Sequence, residues 1–177
     1  TLEKASLRQA DLSGAQLQKV NLKNANLEKT TLQYANLSSA NLEGANFRKA
    51  DLTGANLAQT NLSGANFAQA NLIKTNLRGA KMIGANLLGV NLIKADLKGA
   101  KLSGAHLLKA NLVKANLSGA DLSHAIFKKS TLDEVNLVGA DLTQTDFSSA
   151  SMKTVSFYGA KLCQTKMPLG IENPLCK

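Results

Sequence analysis

Tryptophan is absent from this chain of 177 residues, and aromatic residues make up only 4% of it. Outward-facing aromatics are limited to Tyr34 and Tyr158, so stacking on nucleic-acid bases is poorly provided for. Histidine, cysteine and proline each occur twice, which leaves little material for catalysis or for a metal site. No phosphate-cradling glycine loop, nucleophile elbow or metal-ligand spacing is present. No apolar run approaches the length needed to cross a membrane, and no signal peptide opens the chain. Acidic residues are also scarce, with 12 Asp and Glu against 21 Lys and Arg and a formal net charge of +9.

What the chain has instead is a period of five. Every fifth residue from Leu2 to Met167 is Leu, Phe or Met, giving 34 consecutive apolar centres, of which five are Phe and three are Met. Two residues before each centre stands a small residue (Ala5, Ala10, Ala15, Val20, Ala25, Thr30). Between the two lies a polar slot, most often Asn or Asp, as at Asp11, Asn21, Asn26, Asn36 and Asn41. Five-residue steps wind around an α-helix instead of forming a stripe, and on a flat strand they alternate between faces. All the centres can share one core only if the chain turns after every pentad. Each pentad is then one side of a closed coil, and the coils stack by backbone hydrogen bonds as in a solenoid.

Glycine supports the corners. Twelve of the thirteen glycines fall two residues after a centre, and only Gly170 lies outside that register. A position accepting glycine this often suits a tight turn. A twenty-residue echo (Phe47 with Phe67, Phe127 with Phe147, Lys81 with Lys101, and Lys74 with Lys94 and Lys114) favours four sides per coil. Some lysine pairs also recur at fifteen, so the echo alone leaves three sides open. Each coil buries about four large apolar side chains, worth roughly 1.5–3 kcal/mol apiece before entropy is subtracted.

Runs such as Ala40-Asn41-Leu42-Glu43-Gly44 and Ala50-Asp51-Leu52-Thr53-Gly54 resemble the pentapeptide-repeat family, Ala-(Asp/Asn)-Leu-X-X. The resemblance covers residues 2–167. It implies an all-β fold: a right-handed, four-sided (quadrilateral) β-helix solenoid of about eight coils with a short C-terminal cap, and a rod on the order of 40 Å long at the spacing of β-strands. Within the family, the long loop-free array and its cysteine-bearing tail look like the C-terminal repeat domains of membrane-attached cyanobacterial proteins that serve the heterocyst glycolipid layer. That likeness implies a scaffold role beside a membrane.

The chain divides into a repeat domain, residues 1–167, and a capping tail, residues 168–177. The repeat is already running at Thr1, which reads as a cut end. An unpaired top coil is expected there, open to edge-to-edge association. In the tail, Pro168 and Pro174 stop the ladder, and Leu169, Ile171 and Leu175 can cover the last coil's apolar opening. Cys163, on the final coil, and Cys176, in the tail, are placed for a disulfide that would tie down the cap by on the order of 3 kcal/mol. Such a bridge would indicate an oxidising or extracytoplasmic setting.

The polar residues read as structure more readily than as chemistry. His106 fills a slot usually held by Asn and His124 sits on a corner, with no cysteine or paired carboxylate matched to either. Asp133 and Glu134 are adjacent around a corner, which is not an acid/base pair. The Asn and Asp rows are expected to hold backbone groups between coils, and the phenylalanines to pack in the core. No catalytic residue, metal or cofactor is assigned.

Two surface features remain. The side centred on Leu7, Leu27 and Phe47 carries Arg8, Lys29, Arg48, Lys49, Lys109, Lys128, Lys129 and Lys166 against Glu28 and Asp146, a net +6 of the +9. Such a face can attract an anionic membrane surface, nucleic acid or an acidic protein. Positions just after a centre point outward, yet they become aliphatic at Ile73, Ile83, Leu88, Ile93, Leu108 and Val113. Ile73, Ile93 and Val113 are expected to stack on one side, edged by Lys74, Lys94 and Lys114, with Leu88 and Leu108 on the adjacent side. Contiguous exposed apolar surface usually has a use.

These features point to a non-enzymatic interaction or scaffold domain with a protein partner. Some pentapeptide-repeat proteins act on topoisomerases as DNA mimics, but mimicry needs an acidic surface and this chain is basic. Direct binding of nucleic acid fits the charge and lacks the aromatics.

Overall fold

The computed structural model describes residues 1–168 and the backbone of Glu172–Asn173. From Ser6 onwards, each residue in the polar slot forms a single parallel bridge with the residue twenty further on: Ser6 with Asn26, Asp11 with Thr31, and so on to Asp146 with Lys166. Twenty residues are four pentads, so each coil has four sides, and the ambiguity left by the lysine spacing is resolved. One bridge per side is all that fits before the next corner, so no side extends into a longer strand. Strand β1 (Thr165–Lys166) pairs antiparallel with strand β2 (Glu172–Asn173), placing Thr165 opposite Asn173. The tail backbone therefore folds back on the last coil. Its expected apolar cover, Leu169, Ile171 and Leu175, lies outside the described residues, as does Cys176.

The hydrogen bonds of one pentad show how the coil is made. The Leu42 N–H donates to Asn61 O at 2.7 Å and the Gly44 N–H to Ser63 O at 2.9 Å, joining this side to the coil above. The Ala45 N–H closes a β-turn on Leu42 O at 3.0 Å, and the Asn61 N–H donates to Ala40 O at 3.0 Å. Within this turn the second corner residue has a positive φ, as in a type II turn. The same holds at every fifth residue from Lys4 to Gln164, with φ between 54° and 69°. Twelve of these corners are glycine, but the rest are Lys, Gln, Ser, Asn and others, including bulky Tyr34 and β-branched Thr154. The left-handed conformation costs a non-glycine residue about 1–2 kcal/mol, which coil closure outweighs throughout the array.

Inside, every centre from Leu22 to Phe147 has 0% of its surface exposed. Phe47 stacks on Phe67 with ring centroids 4.7 Å apart and Phe127 on Phe147 at 4.9 Å, the core packing expected of rings twenty residues apart. Threonines in the small-residue row satisfy their hydroxyls without water. Thr30, Thr75, Thr145 and Thr165 donate to the carbonyls of Leu7, Leu52, Leu122 and Leu142 on the preceding coil at 2.8–2.9 Å. Among the described residues no buried side-chain polar atom lacks a partner.

The Asn and Asp row works differently from the expectation that it holds backbone groups between coils. Each side-chain oxygen turns along its own side and accepts the N–H two residues ahead, as Asn21 does from Lys23 at 3.2 Å and Asn36 from Ser38 at 3.1 Å. This is an Asx turn that braces the corner. Between coils, asparagine meets asparagine: the Asn41 amide donates to Asn21 at 3.2 Å and that of Asn61 to Asn41 at 3.4 Å.

Candidate interaction surface

The outward aliphatic residues lie on three successive sides of the same coils. Ile83 and Leu88 are exposed, at 41% and 37%, and Ile73, Ile93, Leu108 and Val113 are half-buried. By register, Ile73, Ile93 and Val113 occupy one side on consecutive coils. Leu88 and Leu108 occupy the side before it, across the corners at Gly89 and Lys109. Ile83 stands one side further back. Four of their backbones are braced: the N–H groups of Ile73, Leu88, Ile93 and Val113 donate to Asn71, Asn86, Asn91 and Asn111 at 3.1–3.3 Å. These four are thus held in place by the repeat's own turns, whereas Ile83 and Leu108 follow Lys81 and His106 and have no such bond. Lys74, Lys94 and Lys114 border them at left-handed corners, and Lys114 pairs with Glu134 at 3.4 Å.

The basic side is less free than its composition implies. Arg8 and Arg48 approach Glu28 from the coils on either side, at 3.4 and 3.3 Å, and Lys128 pairs with Asp146 at 3.2 Å. Lys29, Lys49, Lys109, Lys129 and Lys166 stay exposed without an ion pair among the described residues. Along the corner row, Gln69 and Gly89 separate Lys29 and Lys49 from Lys109 and Lys129, so the positive field is broken into two.

Sorting charge by side missed a denser group. Between Asp51 and Asp121 the chain carries eight cations and one acid, Asp96. Four of those cations, Arg78, Lys81, Lys98 and Lys101, flank one corner on two successive coils. The signal was available in the sequence, where Lys81 and Lys101 interrupt the Asn row.

The remaining candidates serve the coil. His106 is an exposed member of the bridge row, between Asn86 and Ile126, and His124 holds a corner with φ of 60°. Asp133 accepts the Lys153 N–H at 3.1 Å and the Ser151 hydroxyl at 2.9 Å, which hold its carboxyl below the usual carboxylate range. No cluster of three or more His, Cys, Asp or Glu suited to a metal ion occurs among the described residues. No helix among them is long and apolar enough to cross a membrane. Cys163 lies at the last described corner, and its suspected partner Cys176 is outside the described residues.

Several solved structures are similar to this chain. HetL, a pentapeptide repeat protein involved in heterocyst differentiation regulation in the cyanobacterium Nostoc sp. strain PCC 7120, is 32% identical, with 95% of this chain and 87% of HetL covered and a TM-score of 0.50. A trypsin-treated form of QnrB1, a plasmid-mediated fluoroquinolone resistance protein, is 19% identical over 93% of this chain and 80% of its own, with a TM-score of 0.49. A pentapeptide repeat protein of the Arabidopsis thaliana thylakoid lumen is 31% identical over 60% of this chain and 63% of its own, with a TM-score of 0.31. Among curated protein sequences none matches this chain. The family model described as pentapeptide repeats matches in eight copies, across residues 1–128 and 130–167. With its four-sided coils, its unbroken register and this match, the chain belongs to the pentapeptide-repeat family and shares its right-handed quadrilateral β-helix fold.

Proposed function

We propose that this domain is a non-catalytic scaffold that binds a protein partner through the aliphatic band on its middle coils. The observation that carries this reading is the run of outward aliphatics at Ile73, Ile83, Leu88, Ile93, Leu108 and Val113, four of them braced by asparagine, where flanking coils place mostly polar residues. Apolar area of this kind gains by being covered, and the bordering Lys74 and Lys94 favour a partner with acidic residues at its rim. The similarity to HetL supports a role in heterocyst biology. In the finer reading, the domain is the repeat portion of a membrane-attached protein that helps assemble or localise the heterocyst glycolipid layer. The rod then has about eight coils, residues 168–177 form its cap, and a Cys163–Cys176 bridge would hold that cap in an oxidising compartment.

The test is co-purification from native membranes and extract with the wild type and an Ile73→Glu, Ile93→Glu, Val113→Glu variant. These side chains lie outside the core, so the variant should melt like the wild type. Partners lost only from the variant, and identified, support the scaffold reading. Identical captures from both proteins contradict it.

A further inference from the structure

We propose that the glycine-edged face carrying Lys81 and Lys101 is a docking surface for an anionic membrane. This goes beyond the partner-binding reading and uses a neighbouring face that shares only Ile83 with the aliphatic band. The face consists of Gly79-Ala80-Lys81-Met82-Ile83-Gly84 and, one coil on, Gly99-Ala100-Lys101-Leu102-Ser103-Gly104.

Its sequence departs from the repeat in two ways that the fold does not require. The first is at the edges. All four corners are glycine, with φ of 62–66°, although Lys74, Lys94 and Lys109 hold φ of 55–59° at equivalent corners. A Cβ at Gly84, Gly99 or Gly104 would meet nothing within 4 Å, so packing does not demand glycine at these three corners, whereas at Gly79 it would run into the Gln59 side chain. The second is the slot before the centre. On this side it reads Asn21, Asn41 and Asn61 before changing to Lys81 and Lys101. A lysine cannot accept the N–H two residues ahead, so Ile83 and Ser103 lose the Asx brace that Lys23 and Ser63 receive. Lys81 and Lys101 are also bridge partners, and like charges directly opposite each other on neighbouring strands repel.

Around the corner stand Arg78 and Lys98, again one coil apart. Arg78 pairs with Asp96 at 3.0 Å, while Lys81, Lys98 and Lys101 are exposed and make no ion pair among the described residues. Along the same side the nearest acids are Glu43, held by Lys23 at 3.0 Å, and Asp121, which binds Ser123. Only Asp96 forms an ion pair with any of the four cations, while Glu43 lies within electrostatic reach of Lys81 and Asp121 is the bridge partner of Lys101. The face still carries more cations than acids, and its edges at Gly84, Gly99 and Gly104 are bare, while Gln59 lies over Gly79. Ile83, 41% exposed beside Lys81, adds an apolar contact for the headgroup boundary. Phosphate-bearing lipids provide the planar array of negative charge that this arrangement complements. Base stacking would need outward aromatics here, and Tyr34 and Tyr158 are on other coils.

The test is co-sedimentation of the full chain with phosphatidylcholine vesicles, either pure or containing about a third phosphatidylglycerol. Binding is expected only to the anionic vesicles, and high salt should abolish it. A Lys81→Asn, Lys101→Asn variant restores the repeat's own residue, so its folding is secure, and its binding should fall roughly 30-fold. A Lys29→Gln, Lys49→Gln variant removes equal charge elsewhere and should bind as the wild type does. An Ile73→Ser, Ile93→Ser, Val113→Ser variant, which adds no charge, should also bind vesicles normally, which keeps this test separate from that of the protein partner. Equal losses in the two lysine variants, or no binding to anionic vesicles, would overturn the proposal. So would retention of duplex DNA or an acidic polypeptide, but not vesicles, through Lys81 and Lys101.

Discussion

Between residues 21 and 66, the slot before each centre is Asn, Asp or Thr, and the position after it is mostly polar. Between residues 73 and 114, Lys81, Lys101 and His106 enter the slot, and Ile73, Ile83, Leu88, Ile93, Leu108 and Val113 take the position after it. The core does not register the change: the centres are 0% exposed in both stretches, and the twenty-residue bridges continue without interruption. In the first stretch asparagines bind asparagines from coil to coil, as Asn46 does to Asn26 and Asn56 to Asn36 at 3.3 Å. In the second, the side of Lys81 and Lys101 has no such ladder. The inner rows of this solenoid specify the fold, and the outer rows are free to differ from coil to coil. A surface that gives up local support on two successive coils is where binding should be sought.

Several substitutions sharpen that contrast. Leu62→Ala and Leu92→Ala, one in each stretch, should each destabilise by about 2–5 kcal/mol in thermal or urea melts, because both leave a cavity in the same continuous core. A much smaller loss at Leu92 would mean that the middle coils are packed more loosely and that the contrast extends inwards. Thr75→Val keeps the shape but removes the hydroxyl donated to Leu52 O, and should cost about 1 kcal/mol.

Acid should act more gradually. The hydroxyl and N–H of Ser13 hold the Asp11 carboxyl below its ordinary range. The Thr143 hydroxyl does the same for Asp141, against some opposition from burial and with help from the Thr143 N–H and Lys161. A depressed folded pKa adds stability above the unfolded value of about 3.9, and that stability is lost as pH falls through the folded values. Melting temperatures should therefore be flat near neutrality and drop below about pH 4. Asp141→Asn should flatten the acid limb, and an unchanged limb would show that the Thr143 contacts contribute nothing.

Much of this was legible in the sequence because one period governs the whole core. A row of Leu at every fifth residue has few physical solutions, and the glycines marked the corners correctly. The number of sides was less certain, since lysine pairs recur at fifteen as well as twenty, and only the bridges select twenty. The task of the asparagines was misread because a one-dimensional row does not show whether an amide turns along its side or across to the next coil. Compensation on the basic side depends on contacts between residues twenty apart, Arg8 with Glu28 and Glu28 with Arg48, and so on the coil length. Arg78, Lys81, Lys98 and Lys101 escaped notice because they straddle a corner, and a count made side by side divides them.

The most direct measurement is a reciprocal exchange between the two stretches, read by thermal melting. Asn61→Lys removes an Asx brace to Ser63 and a link to Asn41, and should lower stability by about 1 kcal/mol, or roughly 2–4 °C. Lys81→Asn supplies the missing brace to Ile83 and relieves repulsion with Lys101, and should raise the melting temperature by a similar amount. Opposite shifts of this kind are expected if the middle coils forgo stability for their surface. A Lys81→Asn protein that melts no higher than the wild type would contradict it.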